Sequence, residues 1–231
     1  MKLGFLDFEA TSVDPLSAEI TEWGLVTYDT SFGQITAIDT QLIKVNCDIP
    51  QEVTDITGIT KDFLTVHGKD AKESLTALCE KLKELDFIVA HNGLKYDRPL
   101  YYFSCRTNDV KSVDKTWIDT RLDIEYPKKV QTRKLDYLAY EHGFINPLAH
   151  RALTDCLSMW GIFMKYPIEK AIESAQSPLI TIRADVGFNT RELAKKQGYQ
   201  WDGDKKIWVK EIRKINLDKE YGHGFKVLEL C

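Results

Sequence analysis

Two acids one residue apart, Asp7-Phe8-Glu9, close the apolar run Leu3-Gly4-Phe5-Leu6. On a strand, side chains two apart point to the same face. Two carboxylates so placed repel, and burial raises the cost. A divalent cation removes it, and oxygen ligands at this spacing suit Mg²⁺ or Mn²⁺. The spacing alone is common. D-x-E occurs three times, at Asp7/Glu9, Asp123/Glu125 and Asp218/Glu220, and the last two lie in polar surroundings that read as solvated faces. Asp7/Glu9 differs because an apolar strand leads directly into it, and strand ends are a usual place for chemistry in α/β folds.

Two further segments carry groups of the same kind. In Ile88-Val89-Ala90-His91-Asn92-Gly93-Leu94-Lys95-Tyr96-Asp97-Arg98-Pro99, a buried strand ends at His91-Asn92. Pro99 favours the first turn of a helix, so Asp97 sits at or just before its start. An ordinary N-cap aspartate explains it equally well on local sequence. The other segment is His150-Arg151-Ala152-Leu153-Thr154-Asp155, the only H-x-x-x-x-D in the chain. On one helix those two side chains would stand roughly 140° apart. They converge more easily if His150 lies in the loop Asn146-Pro147-Leu148-Ala149 and Asp155 on the helix that follows. A surface histidine with a first-turn aspartate is the plainer alternative.

The elements that must position these groups can be read from periodicity. Strands are expected over Leu3–Phe8, Glu19–Tyr28 and Gln34–Val45, the last two joined by the polar loop Asp29–Gly33 as a hairpin. Leu75, Leu78, Leu82 and Leu85 then recur at helical spacing. Phe87–Ala90 is a short buried strand, Leu100–Cys105 a helix and Thr116–Ile118 a strand. Two more helices carry Leu135/Leu138/Ala139 and Ala152/Cys156/Met159/Trp160/Phe163. This β-β-β-α-β-α-β-α-α order implies an α/β fold, a mixed sheet flanked by helices. Each chemical segment falls at a strand end or a helix start.

The chain has 231 residues, 43% hydrophobic and 29% charged, an ordinary globular balance. No apolar run approaches the roughly 18 residues of a membrane span, and the apolar N-terminus is too short for a signal peptide. Cys47, Cys79, Cys105, Cys156 and Cys231 are odd in number with no C-x-x-C pair. A disulfide framework or zinc site is not expected, and a reducing, cytoplasmic setting is. The net charge of −4 argues only weakly against a nucleic-acid partner, since bound cations supply local positive charge. Charge is uneven: residues 179–231 hold 11 Lys+Arg against 8 Asp+Glu, net +3, and residues 1–178 carry −7. Ser174-Ala175-Gln176-Ser177-Pro178 reads as the linker between them, giving domains of 1–173 and 179–231.

The three segments together resemble the DnaQ-like superfamily of 3′–5′ exonucleases, in the subgroup with four acids and a histidine. The resemblance covers about Leu3 to Met164. It rests on Asp7-Phe8-Glu9-Ala10-Thr11, on Glu19-Ile20-Thr21-Glu22-Trp23-Gly24 as the second strand, and on Thr57-Gly58-Ile59-Thr60 as the turn before the first helix. Ala90-His91-Asn92 with Tyr96-Asp97, and His150-Arg151-Ala152 with Asp155, complete it. Pro99 departs from the unbroken helix of many members, and Phe8 stands where threonine is commoner. The resemblance implies an RNase H-like sheet and hydrolysis of phosphodiesters at single-stranded or frayed 3′ ends. DNA is the first reading, in repair or related metabolism. RNA, or an inactive binding module of the same fold, is the alternative. It further implies that two metal ions act: Asp7 touches both, Glu9 and Asp155 hold the one activating water, Asp97 supports the other, and His150 takes the proton. Ala10, Thr11, His91 and Tyr96 become the candidates for holding the substrate 3′ end.

Residues 179–231 read as a small α+β module. Thr181–Arg183 is a strand, Arg191–Gln197 a helix, and Tyr199–Lys210 a hairpin through Asp202-Gly203. Its lysines and aromatics suit a nucleic-acid contact. A miniature core built on Trp201 and Trp208 explains the aromatics more simply.

Overall fold

The apolar run that ends in Asp7-Phe8-Glu9 forms strand β1 (Lys2–Ala10), longer at both ends than its sequence suggests. Its side chains alternate between two buried faces, as expected of a central strand covered on both sides. In the computed structural model, which describes residues 1–128 and 130–230, β1 pairs antiparallel with β2 (Ile20–Asp29). β2 pairs antiparallel with β3 (Gln34–Leu42). On its other side β1 lies parallel to β4 (Phe87–Ala90), and β4 to β5 (Thr116–Asp119). The sheet order is β3-β2-β1-β4-β5. The mixed, RNase H-like sheet expected from the sequence is therefore present.

Three helices separate β3 from β4, where one was expected. Ahead of the leucine-periodic α3 (Ala71–Lys83) stand α1 (Gln51–Thr57) and α2 (Lys61–His67). Thr57-Gly58-Ile59-Thr60 joins them rather than preceding the first helix. Gly58 takes φ 70° there, and the Thr60 hydroxyl accepts from Phe63 N at 3.1 Å as the cap of α2. α4 (Asp97–Thr107) follows β4, and α5 (Leu135–Glu141) and α6 (Ala152–Phe163) follow β5.

One face of the sheet presents Leu6, Phe8, Trp23 and Leu25 to a core shared with Leu75, Leu78, Leu82, Leu100 and Tyr101 of α3 and α4. The opposite face of β1 presents Leu3, Phe5, Asp7 and Glu9. Helix α6 packs across β1 and β2; Phe163 meets Phe5 edge-on at 5.4 Å, and Trp160 meets Tyr28 at 6.4 Å. α5 packs on α6 in turn. Asp7 and Glu9 thus share their face with the helix that carries Asp155.

The backbone divides into two units, Met1–Ile168 and the chain from Glu169 onward. This division falls ahead of the stretch read as a linker. Ser174, Ala175 and Gln176 continue helix α7 (Ile168–Gln176), which buries the first two. The second unit has a four-stranded antiparallel sheet of order β7-β8-β6-β9, where three strands were expected. Its strands are β6 (Leu179–Asp185), β7 (Gln200–Asp202), β8 (Ile207–Arg213) and β9 (Lys226–Leu230), and helix α8 (Arg191–Lys196) connects the first two. Ile182, Ala184, Ala194, Tyr199, Ile212 and Val227 form its core, with Trp208 packed against them. Trp201 lies 5.8 Å from Trp208 but is 53% exposed, so only one of the two tryptophans is core. Among the described residues no helix is long and apolar enough to cross a membrane.

Candidate active site

Asp7, Glu9 and Asp155 each offer a carboxylate oxygen, and these oxygens lie within 4.8 Å of one another. Burial is the largest influence on their acid–base behaviour, and neighbouring charges add to it at Asp7 and Glu9. Burial first, then the charge of Asp97, then Glu9 and Asp155, hold the Asp7 carboxyl well above the usual carboxylate range. Burial and the Asp155 and Glu22 charges push Glu9 up to about 8. Burial raises Asp155 to about 6, against the opposing pull of His150 and a hydrogen bond from Asn146. Shifts from burial plus specific charge partners are common at functional centres.

Asp97 is the strongest charged neighbour of Asp7. It is the first residue of α4, with Tyr96 at the cap position, so it is not the N-cap aspartate that local sequence also allowed. Burial pushes it up to about 7, opposed by main-chain N–H groups that include that of Phe8. Its Oδ1 is buried without a hydrogen-bond partner. A buried carboxylate oxygen left bare costs free energy unless something positive meets it. A hard divalent cation with oxygen ligands fits this donor set. Pro99 is accommodated as the third residue of α4, where N–H groups lack intrahelical acceptors.

Asp155 comes to the sheet through the loop before α6. Asn146 Nδ2 donates to its Oδ1 at 2.5 Å and His150 N to its Oδ2 at 3.2 Å. His150 is exposed, precedes the helix, and takes φ 62°, a left-handed conformation uncommon for non-glycine residues. The loop-then-helix arrangement anticipated for this segment is the one present.

Residues 5–163 match the exonuclease family of the RNase T type. The chain belongs to that family. Over 161 residues, 70% of this chain, it is 29% identical to the PolC-type DNA polymerases III of Thermotoga maritima and Thermotoga petrophila. It spans 11% of their length. Among solved structures, E. coli exonuclease I with a dA16 oligonucleotide is similar at TM-score 0.63 and 13% identity, covering 84% of this chain and 50% of that one. A zinc-bound complex of E. coli exonuclease I with single-stranded DNA is similar at TM-score 0.60 and 17% identity, covering 76% and 41%. These likenesses carry the fold.

Within this exonuclease-family unit, the substrate-holding candidates, the backbone of Ala10 and Thr11 and the side chains of His91 and Tyr96, divide. Thr11 is buried; its N–H donates to Glu19 O at 3.0 Å and its hydroxyl accepts from Glu19 N at 3.0 Å. Ala10 pairs with Ile20 next to a bulge in β1. The Tyr96 hydroxyl donates to Ser12 O at 2.5 Å, and Asp97, Glu9 and Asp7 all raise its pKa further after burial does. Tyr96 therefore lies beside the carboxylates and ties α4 to the loop after β1. His91 is tied to the chain that follows β5. Its Nε2 meets Arg133 O at 2.8 Å and its Nδ1 meets Thr120 Oγ1 at 2.8 Å. Burial pulls its pKa down to about 4, which keeps the ring neutral, with the proton on Nε2. Both ring nitrogens therefore already have partners within the fold.

Sequence reasoning gave no role to three residues that build the site. Asp119 ends β5 and accepts N–H bonds from Asn92 (3.0 Å), Leu94 (3.2 Å) and Arg121 (2.9 Å), fixing the turn that delivers Asp97. Gly24 lies directly opposite Asp7 in register. A Cβ there would come within 2.6 Å of Ala152 C and Leu153 N, so only a bare Cα lets α6 sit this close. Glu22 lies directly opposite Glu9, 2% exposed. Arg151 forks onto it, Nε to Oε2 at 2.9 Å and Nη2 to Oε1 at 2.8 Å, and Ala152 N donates to Oε2 at 3.1 Å. The available signal was the i, i+2 spacing of Glu22 and Gly24 on a strand paired with β1, and an acid ending the apolar β5, as Asp7 nears the end of β1.

Proposed function

We propose that this chain hydrolyses nucleic-acid phosphodiesters stepwise from a 3′ end. Asp7, Glu9, Asp97 and Asp155 hold two Mg²⁺ or Mn²⁺ ions, and His150 takes the proton of the attacking water. The convergence of the Asp7, Glu9 and Asp155 oxygens within 4.8 Å carries this proposal. The bare Oδ1 of buried Asp97 supports it, as does family membership over residues 5–163. When bound, the cations supply Lewis-acid stabilisation of the charge that grows on the phosphate oxygens.

The chain's own groups do the rest. Asn146 and the His150 N–H orient Asp155 so that each oxygen keeps a lone pair for a cation. An imidazole suits proton removal from water near neutral pH. The left-handed backbone at His150 is a local constraint of the kind retained at functional positions. Tyr96 and the backbone at Ala10 flank the place where a 3′ terminus would enter. Single-stranded DNA is the first substrate to consider, since solved relatives in fold are exonuclease I bound to it. We assign the second unit an accessory contact with the strand through half-exposed Trp201 and its surplus of cations.

The test is a single strand labelled at either end, as DNA and as RNA, at one salt concentration with Mg²⁺. The 3′ label should leave as a mononucleotide at once, while the 5′ label stays on a shrinking ladder. Immediate release of the 5′ label, or no cleavage of either polymer, would overturn the assignment. Trp201→Ala should weaken binding of a long strand several-fold without changing kcat; unchanged affinity removes the accessory role.

A further inference from the structure

The least expected acid near the site is Glu22. Like charges directly opposite on paired strands are destabilising, yet Glu22 faces Glu9 across β1 and β2 and is almost wholly buried. It is not a spare cation ligand. Its Oε1 accepts from Arg151 Nη2 and also lies 3.5 Å from the Thr40 hydroxyl; its Oε2 accepts from Arg151 Nε and Ala152 N. Both oxygens already face donors.

Those donors all belong to the start of α6 or to β3. Arg151 is the N-cap residue of α6, and its own side chain makes no cap hydrogen bond. The first N–H of the helix, which has no intrahelical acceptor, is met instead by a carboxylate from the neighbouring strand. Asp155 stands one turn beyond Arg151. Gly24, two residues after Glu22 on the same face of β2, lies under Ala152 and leaves no gap into which the helix could settle differently. Two points thus fix the first turn of α6 in height and rotation over β1.

We infer that the Glu22–Arg151 pair is a positioning clamp for the cation site: it docks the start of α6 onto β2 so that Asp155 reaches Asp7 and Glu9, and keeps Glu22 itself from competing as a ligand. This presupposes the cation-site assignment made above. Glu22 and Arg151 touch no reacting atom in this scheme and act through Asp155 and Glu9. Partners that orient metal ligands typically change metal affinity by about 10–100-fold when removed. A buried carboxylate stripped of its partner costs more than the loss of both members together.

The experiment compares the full chain with Glu22→Gln, Arg151→Met and the double variant. It follows Mn²⁺ binding by calorimetry, kcat and KM on a 3′-labelled strand, and melting without metal. Arg151→Met should weaken Mn²⁺ binding by about 10-fold or more and lower kcat, with KM for the strand moved less than about twofold. Glu22→Gln should act in the same direction. The double variant should bind Mn²⁺ more tightly than Arg151→Met, because no unpaired carboxylate remains across from Glu9. If Arg151→Met does not fold, Arg151→Lys, which keeps the charge and loses the fork, should give an intermediate loss of affinity. The inference fails if the folded variants bind Mn²⁺ and turn over within twofold of the parent, with only metal-free melting shifted. It also fails if the double variant is no better than Arg151→Met. Asp155→Asn serves as the reference: parent-like Mn²⁺ affinity there would sink the site assignment itself rather than the clamp.

Discussion

Replacing Gly24 with alanine adds one methyl group where no methyl fits. The new Cβ would stand 2.6 Å from Ala152 C and Leu153 N and 2.8 Å from Ala152 O, all backbone atoms that cannot rotate away. Reaching even the lower edge of ordinary contact, 3.4 Å, requires the first turn of α6 to retreat by about 0.8 Å. That retreat stretches the 3.1 Å bond from Ala152 N to Glu22 and carries Asp155 away from Asp7 and Glu9. Overpacking of this kind costs about 1–3 kcal/mol of stability. A misplacement of about 1 Å at a reacting centre can cost about 100-fold in rate. The expected variant is therefore folded, with a melting temperature lowered by several degrees, and about two orders of magnitude slower in kcat on a 3′-labelled single strand. Circular dichroism melting and initial-rate measurements at saturating Mg²⁺ check both. A Gly24→Ala protein with parental kcat would refute the claim that close approach of α6 to β2 sets the geometry of the centre.

Three further outcomes follow from the electrostatics and the supporting hydrogen bonds. Asp155, Asp97 and Glu9 have folded pKa values raised to about 6, 7 and 8, so the metal-free native state binds more protons than the unfolded chain above about pH 4. Its stability should fall as pH rises from about 5 to 8, on the order of a few kcal/mol, and saturating Mg²⁺ should cancel the decline; a flat metal-free profile in urea titrations contradicts it. Asp7→Asn removes the most crowded of the repelling charges, and should abolish turnover while raising the metal-free melting temperature at pH 8; a lowered melting temperature there means the repulsion is not felt. Asp119→Ala strips three main-chain N–H groups of their acceptor and should cost about 3 kcal/mol or more in urea unfolding, with weaker Mn²⁺ binding through the displaced Asp97 turn; a cost under about 1 kcal/mol excludes this role.

Much of this architecture was legible because its signals are periodic. The leucines of α3, the apolar β1 and β4, and the Gly-containing hairpin loop between β2 and β3 each state their element locally. Helices α1 and α2 escape a periodicity reading because seven residues such as Gln51–Thr57 make fewer than two turns, too few for an apolar face to repeat, and their ends are set by Pro50, Gly58 and Thr60. The small, polar Ser174-Ala175-Gln176 resembles a linker, yet small side chains also let a helix bury that face, as α7 does with Ser174 and Ala175. Strand β9 carries only five residues and is held by pairing with β6. Among the candidate site residues, Asp7, Glu9 and Asp155 could be found because acids interrupt or follow apolar elements. The hydrogen-bond partners of His91 could not, since Thr120 and Arg133 lie 29 and 42 positions away in sequence. Glu22 and Gly24 are visible as a spacing, but their meaning depends on a register with β1 and a helix more than a hundred residues later.

The most direct measurement is anomalous diffraction from a crystal of the full chain soaked in Mn²⁺. A strong peak is expected bounded by carboxylate oxygens of Asp7, Glu9 and Asp155, with a second peak nearer Asp97, and loss of the first in Asp155→Asn. Mn²⁺ found only at exposed acids such as Asp204 or Asp218, with no density among Asp7, Glu9 and Asp155, would contradict this assignment.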